Sequence, residues 1–298
     1  MFKNHLRCLL CSLLPCFLSA QQVPDSSFTY PIANPRFASE TGPIVCIDAA
    51  HQNFHTPDNR FYAFAKLLRA DGYVVKAFEQ TFSAESLKQC QILVISNPLN
   101  EINAGGNWRL PTPSAFPSEE IQAVKTWVSN GGKLFLIADH MPFAGAALDL
   151  GKAFGVEYFN SFAMDNRQRG VEYFYKSNKT LQEHPITAGV DTIVTFTGSA
   201  FKIPSTAKPI LKLNQTYTVL MPEVAWQFED KTSYVSGAGL CQLAALEYGK
   251  GRVFVSGEAA MFTAQLGGPN RAPTGMNAPQ AKENPKLLLN VLHWLDGK

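Results

Sequence analysis

Residues 131–147 read GGKLFLIADHMPFAGAA, and the fold is decided there. The pair Gly131 and Gly132 ends a preceding helix, and Leu134 to Ala138 form an apolar run with the length and bounds of a buried strand. The run stops at Asp139 and His140, and Pro142 opens the next helical pattern. Two titratable side chains therefore stand at the carboxyl end of a central strand, the edge at which open α/β sheets bind ligands.

The flanking segments repeat the same grammar. Toward the amino end, Pro43 to Ile47 is a buried strand that ends at Asp48. Asp58 is expected to cap a helix carrying Phe61, Phe64, Ala65 and Leu68 at helical spacing, with Asp71 and Gly72 as its stop. Tyr73 to Phe78 is a second strand, a short helix runs through Leu87, and Ile92 to Ile95 is a third strand ending at Ser96, Asn97 and Pro98. Leu99 to Pro117 is long and irregular, the kind of loop that lines or covers a site. Ser118 is expected to cap a helix with Glu119 and Glu120 in its first turn and Ile121, Val124, Trp127 and Val128 on its apolar face. A helix from Phe143 to Phe154 follows the quoted strand. This β-α alternation predicts a mostly parallel sheet with helices on both faces.

Past Gly155 the pattern weakens. Thr192 to Phe196, Ile210 to Leu213 and Tyr217 to Met221 read as strands, an antiparallel edge. Cys241 to Glu247 and Arg252 to Ser256 form a hairpin through Gly249 and Gly251, and its second strand stops at Gly257 and Glu258. A loop rich in Gly, Pro and Asn spans Gly267 to Pro279, and Asn284 to Trp294 is the closing helix.

At the amino terminus, Lys3 and Arg7 precede the apolar run Leu9 to Leu18, and Ser19 and Ala20 offer a cleavage point. Residues 1–20 are thus expected to be a secretory signal, which makes the protein secreted or periplasmic. The run is too short to span a membrane comfortably, and Pro15 argues against lipidation at Cys16. Residues 21–41 read as a strap or linker, and 42–298 as a single domain. The formal charge of +2 falls to neutral once Lys3 and Arg7 are removed, which argues against nucleic acid or an electrostatic membrane anchor as partner. Cys8, Cys11 and Cys16 lie in the signal. The odd trio Cys46, Cys90 and Cys241 is too sparse for a disulfide framework, Cys46 and Cys241 read as small buried hydrophobes inside apolar runs, and none of the three sits at a turn where a nucleophile is expected.

Three strand ends carry matching polar groups. The first gives Asp48, His51, Asn53 and His55, the fourth gives Asp139 and His140, and the last gives Glu258. On neighbouring parallel strands these groups converge on one crevice. Imidazoles with carboxylates suit a divalent ion such as zinc, with Asp48, His51 and His55 as its ligands, or a metal-free general acid and base built from His140, Glu258 and Asp139. Trp108 and Asn53 are candidate ligand contacts, and Arg271 in the glycine-rich loop is a third. Each residue also has a structural reading. Asp48 and Asp139 can cap turns, His140 can bond a carbonyl, Glu258 can be buried against backbone amides, and Arg271 can be solvated. No Gly-x-Ser-x-Gly turn is present, and no glycine-rich phosphate turn follows the first strand, so neither the common serine-hydrolase turn nor a nucleotide cofactor is expected.

Several blocks together resemble the class I glutamine amidotransferase-like superfamily, and within it a secreted branch lacking the catalytic cysteine. They are Ile44 to Asp48, Leu136 to Phe143, His184 to Val190, Glu247 to Val253, Ser256 to Phe262 and Asn290 to Leu295. The resemblance implies a flavodoxin-like three-layer α/β sandwich, mostly parallel, with an antiparallel C-terminal hairpin. Amidotransferases carry a cysteine on the turn after a central strand and a paired His and Glu near the C-terminus. Here Asp139 and His140 occupy that turn and Glu258 stands without its histidine, so glutamine hydrolysis is not expected. Two functions remain open: a hydrolase acting on a small polar or sugar-derived molecule, and a non-catalytic binding domain for such a ligand or for a partner.

Overall fold

The structure, a computed structural model, describes residues 22–167 and 170–297. The expected signal segment and Cys16 lie outside them. Eleven strands form one mixed sheet. In chain order they are β1 (Ile44–Asp48), β2 (Val74–Phe78), β3 (Ile92–Ser96), β4 (Lys133–Ile137), β5 (Glu157–Asp165) and β6 (Gly198–Lys202). The remainder are β7 (Lys208–Lys212), β8 (Tyr217–Met221), β9 (Ser233–Ser236), β10 (Cys241–Tyr248) and β11 (Gly251–Ser256). Across the sheet the order is β9-β8-β5-β6-β10-β11-β4-β3-β1-β2, with β7 also paired to β10.

Strands β2, β1, β3, β4 and β11 are parallel to their neighbours in that half. Their near-continuous apolar sequences follow from burial on both faces. In β4, Phe135 and Ile137 enter one core with helices α1 (Tyr62–Ala70) and α3 (Asn284–Asp296), while Leu134 and Leu136 enter the other with α2 (Ser118–Ser129). The helix expected over Phe143 to Phe154 is two short pieces, Phe143–Ala146 and Leu148–Lys152. Helix α2 begins at Ser118 itself, with Pro117 at the cap position and no side-chain cap.

The other half overturns the expected flavodoxin-like three-layer sandwich. Antiparallel pairing is not confined to the C-terminal hairpin, because β10, β6, β7, β5, β8 and β9 all pair antiparallel. Between residues 157 and 248 the chain supplies strands where a sandwich needs covering helices, so the molecule is mostly β. The longest of these strands, β5, is hard to read from sequence because its pairing with β6 shifts register between Phe159 and Ala163. A bulge of that kind breaks the two-residue alternation by which a strand is recognised. Two small sheets complete the fold. Val23–Pro24, Ala264–Gly267 and Ala272–Gly275 form one, and Glu172–Tyr175 with Thr192–Thr195 the other. Residues 22–41 strap the core, with Phe28, Tyr30, Ile32 and Phe37 packed on it and Arg36 paired to Asp296 at 2.7 Å.

The cysteine reading also needs correction. Cys46 in β1 and Cys90, two residues before β3, form a disulfide across adjacent parallel strands, leaving Cys241 as the buried thiol. The two are 44 residues apart in sequence, and only the β1-β3 pairing brings them together. Replacing both by alanine is expected to lower the unfolding free energy by about 2–4 kcal/mol, from the chain entropy restored to the unfolded state. Urea denaturation measures this, and a loss below about 1 kcal/mol would show that the bridge contributes little.

Candidate functional site

The turn after β1 is built by its own polar side chains. The Asp48 carboxylate accepts from Ala50 N at 3.2 Å, from Asn53 Nδ2 at 3.0 Å and from His51 Nδ1 at 2.9 Å. The opposite ring nitrogen of His51, Nε2, donates to Glu120 Oε2 at 2.9 Å, and that oxygen also accepts Phe82 N. Glu120 lies in the first turn of α2, as expected, and from there its carboxylate is presented to the imidazole. With a carboxylate on each nitrogen, the ring carries both protons. Burial between Phe82 and Phe116 opposes that charge, but Asp48 and Glu120 outweigh it and hold the His51 pKa above its ordinary value.

This cluster fills its own hydrogen-bonding capacity and faces away from the crevice. The set expected to hold zinc is thereby divided. Asp48 and His51 bind each other, Asn53 spends its amide on Asp48 and Ser96 O, and only His55 reaches the cavity. Among the described residues no group of three or more His, Cys, Asp or Glu is placed to hold a metal ion.

The crevice proper, about 240 Å³, opens at the carboxyl ends of β3, β4 and β11. Asn97, Asp139, His140, His55 and Trp108 line it with Phe54, Phe143, Thr197 and Trp226. His140 is the half-buried imidazole at its centre. Its Nδ1 donates to Met141 O at 2.6 Å, a bond that places the proton on Nδ1 and the lone pair on Nε2 in the neutral ring. The ring stacks on Phe162 at 4.6 Å and meets the edge of Trp226 at 4.8 Å. Among the described residues Nε2 has no hydrogen-bond partner.

Asp139 stands beside His140 without touching the ring; its Oδ1 accepts the His140 main-chain N–H at 2.7 Å, while Asn97 Oδ1 accepts Asp139 N at 2.9 Å. Burial raises the Asp139 pKa, against the pull of His140 and of hydrogen bonds from His140, Ala259 and Asn97. Glu258 lies behind it, fully buried, accepting Met261 N at 2.7 Å and Phe196 N at 3.3 Å. Burial, reinforced by Asp139, pushes its pKa well up. Glu258 is bonded to main chain and does not line the cavity. His55 is neutral. Burial, with Arg60 and His140 nearby, pushes it down to about 3, and it stacks on Phe61 while its Nδ1 meets Ser96 Oγ at 3.2 Å.

Trp108 is brought to the site by the long loop, whose residues Trp108 and Leu110 bond Ala225 and Glu223. It packs on Phe54 and Phe143 at 5.4 and 5.2 Å. Arg271 is not brought in. It sits exposed at the tip of the hairpin Ala264–Gly275, in the left-handed region at φ +48°.

The sequence reading missed Asn97, Thr197, Trp226 and Glu120. Asn97 had a signal, since it ends a strand as Asp139 does. Thr197 and Trp226 had none, because they lie in the stretch where periodicity is lost. All three cavity residues have positive φ, at +47° for Asn97, +89° for Thr197 and +67° for Trp226. A β-branched or bulky residue there is strained by about 1–3 kcal/mol and persists only where its surroundings hold it, which favours functional sites.

The fold is that of a mostly β protein built on one mixed sheet, with a crevice at the carboxyl edge of its parallel half. No protein-family model and no curated protein sequence matches the chain. Solved structures do. The mmIFT52 N-terminal domain superposes with a TM-score of 0.60 at 15% identity, over 85% of this chain and 98% of that one. A cytoplasmic protein from Salmonella typhimurium LT2 gives 0.52 at 15% identity over the same shares. A ThuA-like protein from Bacteroides uniformis gives 0.49 at 13% identity over 90% and 94%. At such identities the likeness to the first two is one of fold alone. No helix among the described residues is long and apolar enough to cross a membrane.

His51 supplies a pH test. A raised folded pKa stabilises fully below the ordinary imidazole value of about 6.5 and is lost as pH rises through the folded value. The melting-temperature advantage of the native protein over His51→Gln should therefore be largest in mild acid and shrink as pH rises. An advantage that grows with pH would refute the doubly bonded imidazolium.

Proposed function

We propose that the crevice binds a small polar, sugar-derived molecule and hydrolyses it with His140 as general base. The observation that carries this reading is the His140 ring itself. Met141 O fixes its tautomer, Phe162 and Trp226 fix its plane, and the free lone pair of Nε2 faces a cavity walled by aromatic rings. Aromatic faces suit the apolar face of a sugar ring, and a positioned imidazole contributes about 10²–10⁴ in rate by proton transfer. Water bound at Nε2 loses a proton to it as the water oxygen bonds the electrophilic carbon. The same proton passes from the imidazolium to the leaving oxygen as the old bond breaks. Asp139 stabilises the imidazolium across the site through its charge.

On this reading the chain is an extracytoplasmic relative of the amidotransferase-like superfamily, with Asp139 and His140 on the turn that holds the cysteine there. Two features support the location: the amino-terminal segment with Lys3, Arg7 and an apolar run, and the Cys46–Cys90 bridge, since disulfides persist in oxidising compartments.

A second reading, a non-catalytic binding domain, draws on the inward bonding of Asp48, His51 and Glu258, which leaves fewer reactive groups in the crevice. Assaying the purified protein against glycan fragments and acyl esters separates the two. Turnover that falls about 100-fold or more in His140→Ala, with melting temperature unchanged, is expected for the hydrolase. Ligands that raise the melting temperature but are never turned over would establish the binding domain instead.

A further inference from the structure

Trp226 and Thr197 line two cavities at once. One is the crevice at His140; the other, about 560 Å³, adjoins it and is lined by Met164, Leu220, Phe228 and Glu172. The indole of Trp226 is half exposed and packs on Phe162 at 4.5 Å, so it stands as a partition rather than as core. Phe228 is 39% exposed and meets the same Phe162 ring edge-on at 5.2 Å. Both residues shared by the cavities have strained, left-handed backbones, which a wall held for packing alone would not require.

We infer that the crevice continues past Trp226 into a second subsite that seats an aryl or acyl group. The molecule bound at His140 is then two-part, with a polar unit at Asp139 and His140 and an apolar unit beyond the indole. This rests on reading the first cavity as the reactive site. The chemistry of the second cavity selects the apolar class. Met164, Leu220, Phe228 and the indole offer mainly aliphatic and aromatic surface, with the Trp226 Nε1–H and the Thr197 hydroxyl as the side-chain donors of the shared wall. Among the described residues its one titratable group, Glu172, is buried and occupied, accepting Asp165 N at 3.1 Å and Thr195 Oγ1 at 3.3 Å. Burial pushes that carboxyl up to about 7, so it sets no strong demand for a cation. The space exceeds what a benzene-sized ring needs, roughly 150 Å³ in a dry protein cavity. Continuity through Trp226 and Thr197 places such a group next to the bond presented to His140 Nε2.

The test is calorimetric titration of the full chain with 4-nitrophenol, an aryl probe without the polar unit. Binding is expected, weakened about tenfold in Phe228→Ser and in Leu220→Gln and unchanged in Arg271→Ala, whose residue lies at the distant hairpin tip. Phe228 is partly exposed and Leu220 only half-buried, so melting temperatures should stay close to that of the native chain; if Leu220→Gln fails to fold, Phe228→Ser alone decides. No binding of 4-nitrophenol, or binding indifferent to both cavity variants, overturns the subsite. The His140 reading fails separately: 4-nitrophenol bound as expected, with no glycan or ester hydrolysed, would remove the reaction and keep the subsite.

Discussion

Where β6 begins, Gly198 lies so close to the end of β11 that a Cβ there would sit 2.3 Å from Gly257 O and 2.8 Å from Gln242 Nε2. No side chain fits, and the approach lets Ser199 N bond Gly257 O at 2.6 Å while Ser199 Oγ bonds Ala138 O at 2.8 Å. Those bonds join the antiparallel half of the sheet to the ends of β4 and β11. The residues just before Gly198 are thereby drawn over Glu258, with Phe196 N on its carboxyl and Thr197 held at positive φ above the crevice. The buried acid, the strained threonine and the meeting of the two cavities all depend on this one close approach.

The polar groups around that junction divide by how their bonding capacity is filled. Asp48, His51 and Glu120 form a closed network in which a central imidazolium neutralises part of the charge on two carboxylates. A buried charge set of this kind is tolerable only when each member is bonded, and removing one partner leaves the others uncompensated. Glu258 meets the same burial problem differently, by accepting two main-chain N–H groups, and burial pushes its pKa well up. Asp139 and His140 lie between those extremes. Their main-chain and Nδ1 contacts set their positions while leaving part of each group facing the cavity, which is the condition a reactive site requires.

The aromatic surround completes that condition. Phe162, Trp226, Phe143 and Trp108 restrict the His140 ring from several sides, and the same rings present apolar faces to whatever enters. Fixing an imidazole while supplying stacking area costs little side-chain entropy at the moment of binding, because the rings are already packed on each other. The loops that carry them come from distant parts of the chain, the stretch 99–117 and the turn at Trp226, and are laced together through Trp108 O and Leu110 N.

Much of the parallel half is legible in the chain alone. Val45, Ile47, Leu93, Ile95 and Leu134 to Ile137 are apolar at every position, because both faces of those strands are covered, and Asp48, Asn97 and Asp139 mark their ends. Local sequence therefore determined the parallel strands, their polar carboxyl edge and the place of His140 in it. It did not determine the antiparallel half, since short strands and a bulge between Phe159 and Ala163 leave no clean period. Nor could it say which polar groups face one another. Whether His51 meets Glu120 or a ligand, whether Cys46 meets Cys90, and whether Trp226 meets His140 are decided by pairing across tens of residues of chain. Only the tertiary structure settles such contacts, because hydrogen bonds and packing depend on distance in space, while a sequence pattern reports only neighbours along the chain.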